Sequence, residues 1–228
     1  MELVEKELQF FLDHKVPQVK FVDRTFNCNH RHSMAIWRYI KEHDNGITNF
    51  HFEIAADILN EEEMDLLATF RPGLAQLEIV VQSTNIQTIH EIDRVMDFDM
   101  VTQKVQRVAS AENIHQHLDL IAGLPYENLE SFKKSFNDVY RLRPQQFQLG
   151  FLKVLKGSKM HEKAGEYGIV YHTRPMYEVL STNWLTYDEV IHLKGIEEMV
   201  EVYYNSCQFR CTMLAPVSYT HLRAHETK

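Results

Sequence analysis

Five short apolar runs constrain this chain more than any other feature, because each ends in a polar or glycine cluster and each is followed by a helix-like stretch. They are VKFVDRTF (residues 19–26), FHFEIAAD (50–57), QLEIVVQST (76–84), QHLDLIAGLP (116–125) and FQLGFLKVLKG (147–157). Strand-length runs recurring at spacings of about 30 residues, with a helix between, suit βα units. Repeated units of that kind give a parallel sheet with right-handed crossovers. The pattern predicts an α/β fold, a partial or complete parallel βα barrel. In such a fold the carboxyl ends of the strands share one face, where ligands bind. Asp23, Glu53, Glu78, Gln82, Asp119 and Lys153 collect at those ends. The series also starts one strand later than a full barrel would.

Helical spacing fills the gaps. Leu3, Val4, Leu8, Phe11 and Leu12 form one apolar stripe, so residues 2–14 are expected to be helical, stopped by Pro17. Further helices are expected over 29–43, 60–69, 84–96, 98–112, 129–141, 160–167 and 187–204, with an extended segment over 177–184. Asn60 is a natural cap, and Glu61, Glu62 and Glu63 place negative charge in the first turn, where the helix dipole favours it.

Composition narrows the function. The chain has 228 residues, 44% of them hydrophobic, enough for one globular domain with a sizeable core. A formal net charge of −8 argues against nonspecific binding to nucleic acid or anionic membrane. No apolar run approaches a membrane span, and MELVEKELQFFLDHK reads as an acidic amphipathic helix rather than a signal peptide. Three cysteines, Cys28, Cys207 and Cys211, make no disulfide framework and point to a reducing cytoplasm. Cys28, His30 and His32 have metal-like spacing but no evident fourth ligand, so ordinary polar loop positions are the favoured reading. His115 and His117 alternate along a strand and would flank one face of the barrel, with ordinary polar positions again the favoured reading. From Cys207 the sequence loses all periodicity and resembles translated adapter sequence. Residues 1–206 are therefore expected to form the barrel with a C-terminal helical extension, and 207–228 a non-native or disordered tail.

The strand ends have a chemistry of their own. Carboxylates at Glu53, Glu78 and Asp119 can receive an amine and ribose hydroxyls. Arg94, read as lying in a helix after Gln82, can hold a carboxylate with two parallel hydrogen bonds. Ile121, Ala122 and Gly123 offer an apolar, glycine-containing edge for a flat ring. The set suits a nucleoside with an amino-acid end, whereas each residue alone is also an ordinary loop or cap residue.

In their order, LEIVVQST, Arg94 and HLDLIAGLPYEN resemble successive motifs of the radical S-adenosylmethionine (SAM) superfamily. VKFVDRTFNCN resembles the second strand of that core, FHFEIAAD the third and FQLGFLKVLKGS the sixth. The resemblance covers residues 1–206 and is strongest to the branch often fused to an N-terminal cobalamin-binding domain. It implies that Gln82 and Asp119 bind the ribose of SAM and that Arg94 holds its carboxylate. Glu53 would lie near the amino group, with Asp23 and Thr25 close to the methionyl part. Ile121 would pack on adenine, with the backbone of Phe151 to Lys153 along the adenine edge. Where the family usually has glycine this chain has Val80, which crowds the strand.

The family holds a 4Fe–4S cluster on a C-x3-C-x2-C loop after its first strand. Reduction of SAM at that cluster, by an electron donor of flavodoxin or ferredoxin type, yields a 5′-deoxyadenosyl radical. No such cysteine triplet occurs in this sequence. The expectation is an N-terminally truncated radical SAM enzyme, missing its first strand and inactive as it stands, with cobalamin a further cofactor of the full-length protein. Two other readings compete. One is a βα-barrel lyase or aldolase using Lys153 as a Schiff-base amine with Glu53 or Asp119 as acid/base. The other is a non-catalytic SAM-binding module. The substrate is not legible.

Overall fold

The computed structural model describes residues 1–209. In chain order the elements are α1 (Glu2–Asp13), β1 (Gln18–Lys20), a 3-10 turn (Phe26–Cys28), α2 (His30–Glu42), β2 (Asn49–Ile54), α3 (Glu61–Ala68), β3 (Ala75–Gln82), α4 (Ile86–Glu91), α5 (Phe98–Ala109), β4 (His115–Ala122), α6 (Leu129–Arg141), β5 (Gln146–Phe151), α7 (Lys159–Glu162), β6 (Val170–Tyr171), β7 (Val179–Ser181), α8 (Tyr187–Met199) and a π-helical end (Val200–Asn205). Strands β1 to β5 form a five-stranded sheet in sequential order, and β6 pairs with β7. Val19 is in parallel register with Phe50, and Glu53 with Glu78. A parallel sheet in chain order, with helices in the connections, is the partial βα barrel the sequence pattern requires.

The described residues divide into two compact units, Met1–Val80 with Met96–Leu118, and Val81–Val95 with the described residues from Asp119 onward. The first unit is built on the period-2 alternation of its strands. On β3, Ala75, Leu77 and Ile79 are buried, whereas Gln76, Glu78 and Val80 on the other face are half-buried. Helix α2 lays Ile36, Trp37 and Ile40 into the core beside Phe50 and Phe52. Phe52 is ringed by Phe21 and Phe26 at centroid distances of 4.7 and 4.5 Å. Burying each such side chain contributes roughly 1.5–3 kcal/mol. The expected cap on α3 is a full capping box. Asn60 accepts from the Glu63 amide, and Glu63 accepts from the Asn60 amide.

In the second unit Phe132, Phe136 and Val139 of α6 are buried, as are Phe147 and Leu149 of β5. A separate apolar cluster joins Leu124, Leu152, Val154, Tyr167, Ile169 and Val179. Gly123 (φ +91°) belongs to this packing, since a Cβ there would lie 2.8 Å from a Val179 methyl group. Helix α8 opens on a second capping box, Thr186 with Glu189.

Several elements are shorter than the sequence suggests. The strand expected over 19–26 ends at Lys20, with Phe21 making the last backbone bond to the His51 carbonyl. Beyond it the Asn27 side chain takes over that edge of β2, donating to the Ala55 carbonyl at 2.9 Å and accepting the Ala55 amide at 3.0 Å. Asp23 and Thr25 are therefore loop residues, not strand-end residues. The helix expected over 84–96 is confined to Ile86–Glu91. Asp93 adopts a left-handed φ of +58°, and the Arg94 amide closes back on the Ile89 carbonyl. Arg94 thus lies past the helix, in a loop. The fifth run forms a strand only to Phe151, and Lys153 makes an isolated bridge to Glu178. The helix expected over 160–167 is the single turn Lys159–Glu162, the extended segment over 177–184 is β7, and its antiparallel partner β6 was not anticipated. The helix expected over 187–204 turns π-helical from Val200. Of the expected tail, residues 210–228 lie outside the described residues.

Candidate functional site

The nucleoside-type residues fall in the second unit. Strand β3 ends at Gln82, whose φ of +66° is left-handed for a non-glycine residue. That conformation costs about 1 kcal/mol and has to be held. Asp119, on β4, holds it from one side, because its Oδ1 accepts the amides of Val81 at 2.7 Å and Gln82 at 3.3 Å. The structure thus brings Asp119 and Gln82 together and gives the carboxylate a structural bond as well. Two residues along β4, Ile121 is half-buried against the apolar cluster, as is Phe151 of β5. The Leu152 amide bonds the Ala122 carbonyl at 2.9 Å, which fixes the backbone after β5 against the end of β4. The Phe151 ring carries Lys194 Nζ at 4.6 Å from its centroid, and Lys194 pairs with Glu178. Lys153 is exposed and Arg94 half-exposed.

Sequence reasoning missed the group on the other side of Gln82. Glu127 is fully buried, and its Oε1 accepts the hydroxyls of Ser83 at 2.6 Å and Ser135 at 2.8 Å. The Ser135 oxygen also accepts the Thr84 amide at 3.1 Å, and the Ser83 oxygen accepts the Asn85 amide at 3.0 Å. Burial pushes the Glu127 carboxyl up to about 7 against the two hydroxyl bonds that would lower it. The only signal in the sequence is a glutamate after GLPY, which says nothing of its partners.

In the first unit Glu53 and Glu78 lie side by side on neighbouring strands. Glu78 is not an open ligand-binding carboxylate. Lys20 donates to its Oε2 at 3.1 Å, and His51 Nε2 lies 2.9 Å from the same oxygen, outside hydrogen-bond geometry. Burial acts upward on Glu78, but Lys20 with His117 and His51 outweighs it and holds the carboxyl below its ordinary value. Burial and the Lys20 charge push His51 down, favouring the neutral ring. Asp23 is exposed, and Thr25 precedes the 3-10 turn. His30 is engaged by the buried Glu63 at 3.0 Å, and Ser33 donates to the same carboxylate oxygen at 2.9 Å. Among the described residues no group of three or more His, Cys, Asp or Glu side chains is placed to hold a metal ion, and no helix is long and apolar enough to cross a membrane.

A family profile described as a protein of unknown function (DUF4080) matches residues 165–224. The 2-(S-pantetheinyl)-carbapenam-3-carboxylate methyltransferase of Streptantibioticus cattleyicolor is 22% identical, over 92% of this chain and 34% of its own length. The cobalamin-dependent radical SAM methyltransferase TokK of Streptomyces tokunonensis is 24% identical over the same shares. Among solved structures, TsrM of Kitasatospora setae with cobalamin and a [4Fe-4S] cluster bound aligns with a TM-score of 0.61 and 15% identity, over 79% of this chain and 37% of that one. The radical SAM enzyme HemN of Escherichia coli aligns with a TM-score of 0.57 and 15% identity, over 86% and 45%. Sequence and fold comparison point to the same class of relatives, radical SAM enzymes. Both of these sequence homologues are methyltransferases, TokK a cobalamin-dependent radical SAM one, and this chain spans about a third of their length (34%).

Proposed function

We propose that this chain is the SAM-binding part of a radical SAM enzyme related to the cobalamin-dependent methyltransferases. The observation that carries the reading is the end of β3 held by Asp119, with Gln82 displayed in a left-handed turn and the apolar Ile121 following on β4. Gln82 and Asp119 would take the ribose hydroxyls and Arg94 the carboxylate. Ile121 and the backbone from Phe151 to Lys153 would take adenine. Within the first unit, Glu53 keeps the role of an amine contact, and Asp23 and Thr25 that of methionyl neighbours. Glu78 is better described as a partner of Lys20 and His51 than as a ligand contact. SAM, when bound, would supply the sulfonium–carbon bond for the reductive cleavage that the family resemblance implies.

The residues present do not fit the iron–sulfur cluster that such cleavage needs. Thiolates hold and tune such a cluster, and the sequence has no C-x3-C-x2-C. Cys28 and Cys207 are both exposed, and Cys211 lies outside the described residues. We infer that the chain as it stands does not cleave SAM. Cluster, electron donor and any cobalamin would belong to a longer protein. The exposed Lys153, which lacks the desolvation that activates a Schiff-base amine, weighs against the lyase reading.

Two measurements test the proposal. Anaerobic reconstitution with iron and sulfide is expected to give no broad charge-transfer absorbance and no 5′-deoxyadenosine; a stable, SAM-cleaving cluster would refute the inactivity. The coding sequence upstream of Met1 is expected to encode C-x3-C-x2-C about 15 to 30 residues before it, by the length of a βα unit. An upstream sequence without that motif would refute the assignment to a longer radical SAM enzyme.

A further inference from the structure

We propose that Glu127 is a positioning residue, whose buried carboxyl fixes the turn that displays Gln82 by gathering the hydroxyls of Ser83 and Ser135. The proposal rests on the reading of Gln82 as a ribose contact. The left-handed turn at Gln82 has two anchors in the second unit. Asp119 holds the amides of Val81 and Gln82. After the turn, Glu127 is where the side-chain bonds of Ser83 and Ser135 converge. Ser83 reaches Glu127 at 2.6 Å while accepting the Asn85 amide, which starts α4. Ser135, on α6, reaches the same oxygen at 2.8 Å while accepting the Thr84 amide. Thr84 then donates to Asp138 of α6 at 2.9 Å.

One carboxyl oxygen therefore orients two hydroxyls, and each hydroxyl oxygen is turned toward one backbone amide after the turn. A serine hydroxyl has a single proton, so giving it a fixed acceptor leaves its oxygen to receive the amide. Glu127 lies in the segment that follows β4, after Gly123, Leu124, Pro125 and Tyr126. The same residue thus couples the segment carrying Ile121 and Gly123 to the segment carrying Gln82. Its second oxygen is buried and makes no hydrogen bond among the described residues, so replacing that oxygen by an amide nitrogen breaks no existing bond.

Amide hydrogen exchange on the full 228-residue chain tests this. In Glu127→Ala, exchange at Thr84 and Asn85 is expected to rise at least tenfold relative to amides of β5 in the same unit. Glu127→Gln, which keeps the acceptor oxygen, is expected to restore protection to within threefold of the original. Ser83→Ala, a smaller truncation that guards against misfolding of the alanine variant, is expected to raise exchange at Asn85 alone. Equal exchange at Thr84 and Asn85 in all variants, or a glutamine variant as loose as alanine, overturns the positioning role. S-adenosylhomocysteine at millimolar concentration separates the two readings. Slowed exchange at Gln82 supports the ribose contact on which the role depends, and unchanged exchange there overturns that contact whatever the variants show.

Discussion

Replacing Glu127 by glutamine should change how stability depends on pH. The carboxyl titrates near 7 in the folded chain against an ordinary 4.5, a difference that burial produces. Because the folded value is raised, the native state binds the proton more tightly than the unfolded state. Stability from this group is fully present below about pH 4.5 and is lost as pH rises through about 7. At 1.36 kcal/mol for each pH unit, the whole effect is about 3 kcal/mol, of which roughly 2–3 kcal/mol falls between pH 5 and pH 8. Glutamine carries no such proton, so the stability of the variant relative to the original should climb by that amount across the window.

The comparison with the variant is essential because other groups titrate there. His51, pushed down by burial and Lys20, binds its proton less tightly in the fold and contributes stability as pH rises, opposing Glu127. The His51 contribution cancels in the difference. Urea unfolding at several pH values measures the effect. A Trp37→Phe background leaves Trp184, which lies in the second unit, as the reporting tryptophan. A difference that stays flat within about 0.5 kcal/mol would show that Glu127 is ionised in the fold and would refute the burial argument.

Asn27→Ala should destabilise the first unit by about 2–4 kcal/mol in urea unfolding, because both the amide and the carbonyl of Ala55 lose their partner. A loss below about 1 kcal/mol would mean that water replaces the side chain at that edge. Lys20→Met and Glu78→Gln should move the His51 titration in opposite directions, since the lysine charge lowers it and the glutamate raises it. Histidine NMR titrations that move together in both variants would contradict the three-membered cluster.

The helices and strands were legible where one local pattern decided them. Strand β3 alternates buried and half-buried residues along its length, and that period is written in QLEIVVQ. Asn60 with Glu63 lies within one turn, so the capping box needs no tertiary partner. Local pattern was less reliable at the ends. The run after Gln82 looked helical to Met96, but helix α4 stops at Glu91 because Asp93 takes a left-handed conformation. The first apolar run looked like eight residues of strand, but β1 is three residues long, and a buried asparagine finishes its work.

The site divides in the same way. The sequence by itself determined the class of fold and which residue types stand at the strand ends, because side-chain alternation and motif order are local properties of the chain. Tertiary structure alone decided what those residues do to one another. It committed Glu78 to Lys20, 58 positions away, and tied Ser83 to Glu127, 44 positions away. It also turned Asp119 toward the backbone at Gln82. Such pairings depend on strand register and on what is buried beside what. Neither is fixed until the sheet has formed.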